Sequence, residues 1–96
     1  MIDILFHVAT EGGARLLAPL GRACRRGGHS YAAFFTHEGV RGLADPDLRA
    51  GLGDARAVVC EESWHRFRDG EPCPVELGSQ TVNSALAGES RRVVSL

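Results

Sequence analysis

The chemically versatile side chains of this sequence are its three cysteines and four histidines, and one cysteine stands apart by position. Cys60 follows Ala57-Val58-Val59 and precedes Glu61-Glu62-Ser63, which places its thiol where a strand passes into a helix. A cysteine at a helix N-terminus gains from the dipole and from free backbone N–H groups, and both favour the nucleophilic thiolate. Glu61 and Glu62 push the other way. The plain alternative is a small buried residue closing a strand. Cys24 shares an apolar helical stripe with Ala14, Leu17 and Leu20 and reads as core. Cys73, held between Pro72 and Pro74, reads as a loop thiol, either a resolving partner or a bystander.

Among the histidines, His37 is the strongest candidate, because it leaves an apolar run into a loop beside Glu38 and Gly39, where an imidazole can meet a ligand. His7 lies within an apolar run and reads as a core histidine, His29 as a turn residue, and His65 as a residue coating a helix. His7, His37 and Cys60 have ligand types suited to zinc, yet no local pair shows metal-ligand spacing, and no metal is expected. Gly12-Gly13 lacks both a GxGxxG pattern and a P-loop lysine, so it reads as a tight strand-to-helix turn.

The elements that must hold these residues alternate along the chain. Ile2–Val8 is almost continuously apolar, as expected of a strand covered on both faces. Ala14, Leu17, Leu20 and Cys24 then recur at helical spacing until Arg25-Arg26 and Gly27-Gly28 supply a basic last turn and a cap. Pro19 inside that helix predicts a kink or a late start. Tyr31–Phe35 is a second strand, followed by a loop over 36–40. Asp45-Pro46 opens a short helix that ends by Gly51 or Gly53. Ala57–Cys60 is a third strand, and the helix after it fades by Asp69-Gly70. Glu71-Pro72-Cys73-Pro74 is a stiff loop, Ser79–Ala87 a last helix closed by Gly88, and Arg92–Leu96 a last strand. Strands alternating with helices imply right-handed crossovers and a mostly parallel sheet with helices on both faces, an α/β architecture. In such sheets ligands bind beyond the carboxyl ends of the strands, where Thr10, His37 and Cys60 fall.

Ninety-six residues make a single domain, 1–96, small enough that association with further copies would help bury its surface. No apolar run reaches the roughly 18 residues of a membrane span, and the start lacks the basic and cleavage regions of a secretory signal, so a cytoplasmic protein with no membrane contact is expected. All eleven basic residues are arginine, the formal net charge is −1, and no basic stretch is interleaved with aromatics, which argues against nucleic-acid binding. Three cysteines without a CxxC pair suit free thiols in a reducing compartment.

Phe34-Phe35-Thr36-His37-Glu38-Gly39-Val40 resembles the Phe-Phe-x-x-Asp-Gly-Val segment of the DsrE/DsrF (TusD-like) sulfur-relay family. The distance onward to Val58-Val59-Cys60, the basic Arg66 about two turns later, and the ending Arg91-Arg92-Val93-Val94-Ser95-Leu96 are similar to that family as well. The resemblance covers most of the chain. Glu38 stands where the family has Asp, Glu61-Glu62 where it has small or apolar residues, and the chain is shorter than typical members. The resemblance implies a three-layer α/β/α, flavodoxin-like (DsrE-like) fold and a cysteine persulfide carrier of the sulfurtransferase type. Cys60 would carry sulfur, with His37, Glu38, Gly39 and Arg66 lining its surroundings. It also implies no cofactor, donor and acceptor proteins as partners, and a homo-oligomer: dimer, trimer or hexamer. The alternative is a non-catalytic oligomeric module of the same fold that binds a small ligand or a partner.

Overall fold

The computed structural model describes residues 1–96 and shows an α/β protein built on one five-stranded, all-parallel sheet. Along the chain the elements are β1 (Ile2–Val8), α1 (Glu11–Arg26), β2 (Tyr31–Phe35), a 3₁₀ segment (His37–Ala44), α2 (Pro46–Leu52), β3 (Arg56–Cys60), α3 (Glu61–Arg68), β4 (Glu76–Gly78), α4 (Gln80–Glu89) and β5 (Ser90–Ser95). The spatial order is β4-β3-β2-β1-β5.

That order accounts for the layers. The chain steps in one direction from β1 to β4, so right-handed crossovers put α1, α2 and α3 on one face. The return from β4 to the far side of β1 reverses direction and puts α4 on the other face. The apolar residues divide accordingly. Phe6, Val8, Tyr31, Ala33, Phe35, Ala57 and Val59 pack in the larger core with Leu17, Leu43, Leu48 and Trp64. Their alternating neighbours Leu5, Ala32, Phe34, Val58 and Cys60 pack with Leu86 of α4 in the smaller one. Both faces of the central strands are thus buried, which is why those strands read as unbroken apolar runs.

Local chemistry sets the helix ends. The Gly13 amide donates to Thr10 Oγ1 at 2.8 Å, and the Asp47 amide donates to Asp45 Oδ1 at 2.9 Å with Pro46 in the first turn. The late start that Pro19 allowed does not occur: α1 begins at Glu11 and runs through it, with the ring on the exposed side, where the carbonyl it leaves unpaired can meet water. Trp64 anchors α3, buried in the core with Nε1 donating to the Glu71 carbonyl at 2.8 Å. Two elements go beyond the sequence reading. Residues 37–44 form a 3₁₀ segment where a loop was expected, and Glu76–Gly78 adds an edge strand beside β3. No helix is long and apolar enough to cross a membrane.

Candidate functional site

The carboxyl end of β3 positions Cys60. It closes the strand, paired with Gly78 of β4, and caps α3 with an extended backbone. The residue is 6% exposed, and its side chain belongs to the α4 face of the sheet. It nevertheless lines an open groove of about 300 Å³ between the start of α3 and the start of α4, together with Glu61, Glu62, Gly78, Ser79, Gln80 and Thr81.

Two opposing influences act on the thiol. Burial is the largest and favours the neutral form. The Ser63 hydroxyl and amide, the Gln80 side chain and the Glu62 amide favour the anion and together prevail, so the Cys60 pKa falls below that of an ordinary cysteine. All four are donors, and a hydrogen bond to an ionised acceptor is stronger than one to a neutral acceptor. The other two thiols go the opposite way, because burial raises both Cys24 and Cys73. Cys73 also packs against the larger core, on the far side of the sheet from Cys60. The sheet thus lies between the two thiols of one chain.

Ser63 is the residue that sequence reasoning passed over. It stands three positions into the cap of α3, is 6% exposed, and has a single hydroxyl proton to give. Its Oγ accepts from the His37 amide at 2.8 Å and lies 3.3 Å from Thr36 Oγ1. Thr36 is also buried, one residue past the pairing of Phe35 with Val59, and so stands next to Cys60 on the strand rim. His37 reaches its position with φ of 50°, a left-handed conformation that costs a non-glycine residue about 1–2 kcal/mol. That turn aims its amide at Ser63.

The expected neighbours of Cys60 separate on inspection. His37 joins the site through its backbone, while its ring is exposed, as is the side chain of Glu38. Gly39 serves packing: a Cβ there would collide with the Val8 carbonyl, so only glycine lets the 3₁₀ segment lie against β1. Arg66 is exposed and lies over the Phe67 ring, 5.2 Å from its centroid, with Arg41 5.1 Å from the same ring. It makes no hydrogen bond or ion pair with Cys60. Gln80 could not have been found from its neighbours in sequence, since it reaches Cys60 only through the β4 to α4 turn. Asn83, one helical turn on, donates to Gln80 Oε1 at 3.3 Å, which leaves the Gln80 amide group free to face the sulfur.

The remaining histidines fall outside the groove. His65 pairs with Asp69 at 3.5 Å and His29 with Asp3 at 3.7 Å, both at the surface. His7 stacks on Phe34, with ring centroids 6.0 Å apart and planes 17° apart. Burial, followed by the proximity of His37, lowers its pKa. No group of three or more His, Cys, Asp or Glu is placed to hold a metal ion. Gly13 lies in the first turn of α1, where a Cβ would collide with Leu96, while a Cβ at Gly12 would meet open space.

The site is therefore a thiol of lowered pKa among hydrogen-bond donors, at the wall of an open polar groove. No protein-family model and no curated protein matches the chain.

Proposed function

We propose that Cys60 carries sulfane sulfur as a persulfide, taking it from one protein and passing it to another in a sulfur-relay or sulfur-oxidation pathway. The carrying observation is the depressed thiol pKa of Cys60 at the wall of an open groove, set against raised values at both other cysteines. In the loading step the Cys60 thiolate attacks the terminal sulfur of a donor's persulfide. The donor S–S bond breaks, and the donor leaves as a thiolate that takes up a proton from water. In the delivery step an acceptor thiolate attacks the outer sulfur, and Cys60 departs as a thiolate. Neither step needs an outside oxidant or reductant.

The donors around Cys60 support this reading because the group left exposed after loading is an anion. Persulfide and thiolate both present negative sulfur, and amide and hydroxyl donors stabilise it without a metal or cofactor. The resemblance to the DsrE/DsrF family supports the same role, and the free thiols suit a reducing compartment such as the cytoplasm. Assembly into a homo-oligomer agrees with the open edge at β5, where Val93 is 50% and Val94 36% exposed.

Cyanide tests the reading. A loaded Cys60 persulfide gives its outer sulfur to cyanide as thiocyanate and returns as a thiolate, so donor-treated protein releases one equivalent of thiocyanate and Cys60→Ser protein releases none. The low exposure of Cys60 favours a second reading, a non-catalytic oligomeric module that binds a ligand or partner. A native Cys60 that resists a small neutral alkylating reagent would support it.

A further inference from the structure

Glu61 and Glu62 line the groove in which Cys60 lies, and no basic residue lines it with them. Both carboxylates stand in the first turn of α3, where they favour the positive end of the helix dipole, and this alone would account for their presence. The surroundings add something the dipole does not require. On a helix each acidic residue meets the residue four positions on, and here those residues are His65 and Arg66. His65 turns to Asp69 at 3.5 Å, and the Arg66 guanidinium lies over Phe67. Neither Glu61 nor Glu62 takes part in any ion pair of the chain. The groove thus holds the Cys60 thiol, hydroxyl and amide groups from Ser79, Gln80 and Thr81, and two carboxylates whose basic neighbours one turn on along α3 face Asp69 and Phe67.

Resting on the sulfur-carrier reading of this site, we infer that the groove receives a partner protein whose sulfur is flanked by Arg or Lys side chains, and that small anionic sulfur sources are poor substrates. Charge complementarity determines the choice. A cationic flank gains from both carboxylates and replaces the missing cations, whereas a dianion meets two like charges beside a third that develops on Cys60. The arrangement also separates two tasks. Neutral donors hold the anionic sulfur, and the carboxylates select what approaches it.

Thiol–disulfide exchange tests the inference on the full chain, using three small disulfides: cystamine with two ammonium groups, the neutral hydroxyethyl disulfide, and the dicarboxylate dithiodiglycolate. The Cys60 thiolate attacks one sulfur, the S–S bond breaks, and the other half leaves as a thiolate that is protonated by water. Adduct formation is read on the Cys60 peptide by mass, and each rate is divided by that of mercaptoethanol with the same reagent to remove intrinsic reactivity. The expected order is cystamine, then neutral, then dicarboxylate, with the outer two about tenfold apart at low ionic strength and converging as salt is raised. In the double variant Glu61→Gln, Glu62→Gln the separation falls to within about twofold, a change that a uniform effect on thiol pKa cannot produce. Should that variant unfold, the salt series on the native protein decides alone. Equal normalised rates at low salt, or a preference for the dicarboxylate, would overturn the inference. The expected ranking with no sulfur accepted from a donor would retain the partner charge and remove sulfur carriage; sulfur accepted without the ranking would do the reverse. A Cys60 inert to all three reagents would remove both.

Discussion

The Ser63 hydroxyl receives the His37 amide proton at 2.8 Å, and this one hydrogen bond ties the start of α3 to the turn leaving β2. With an acceptor site so occupied, the Ser63 proton is available to Thr36 or to the sulfur of Cys60. Replacing Ser63 by Ala removes that proton and leaves the His37 amide without its partner. We predict a loss of about 1–2 kcal/mol in unfolding free energy, measured by denaturant titration, together with a higher Cys60 thiol pKa. A variant in which the thiol pKa stays in place would show that Ser63 has only a structural role.

The three cysteines should differ in their response to pH. Alkylation of native Cys60 by iodoacetamide, followed on its own peptide, should reach half its limiting rate at a lower pH than in an ordinary cysteine, while Cys24 and Cys73 should do so at a higher pH. The depressed value also bears on stability. The thiolate is favoured in the folded chain, so the contribution of Cys60 is complete above the unfolded pKa and is lost as pH falls through the folded one. Alkylation midpoints in the reverse order would contradict the assignment of Cys60 as the nucleophile.

His7 gives a second pH signature, on the acid side. Burial and His37 lower its pKa, so the folded chain favours the neutral ring. The stability it contributes is complete above about pH 6.5 and is lost as pH falls through the lower folded value. Thermal melts of the native chain from pH 8 to pH 4 should therefore decline more steeply than those of His7→Gln. Parallel declines would mean that the ring is equally easy to protonate in both states.

Gly39 is predicted to tolerate no side chain. Gly39→Ala forces a Cβ against the Val8 carbonyl, which belongs to the interior strand β1 and cannot swing away as a flexible side chain would. The expected cost is about 2–4 kcal/mol in a denaturant melt. A change below about 0.5 kcal/mol would show that the 3₁₀ segment can move off β1.

Much of the fold was legible because its signals are local. The unbroken apolar runs Ile2–Val8, Tyr31–Phe35 and Ala57–Cys60 announced strands buried on both faces, and Cys60 stood out because acidic helix-start residues follow it directly. What escaped depends on distant partners or on short periods. Glu76–Gly78 is three residues long and becomes a strand only by pairing with β3. The 3₁₀ segment looked like a loop because of its glycines, although buried Val40 and Leu43 at a spacing of three carry its period. Ser63 and Gln80 reach the sulfur from different elements, and their convergence is a property of the β4 to α4 return. Arg66 is spaced like a site residue, but the face of Phe67 holds its guanidinium.

The central claim concerns one sulfur atom on one side chain. Intact-mass analysis of the native protein after incubation with a persulfide donor should show a gain of about 32 Da that maps to the Cys60 peptide and is absent in Cys60→Ser. No gain, or a gain that maps to Cys73 and survives in Cys60→Ser, would contradict the account.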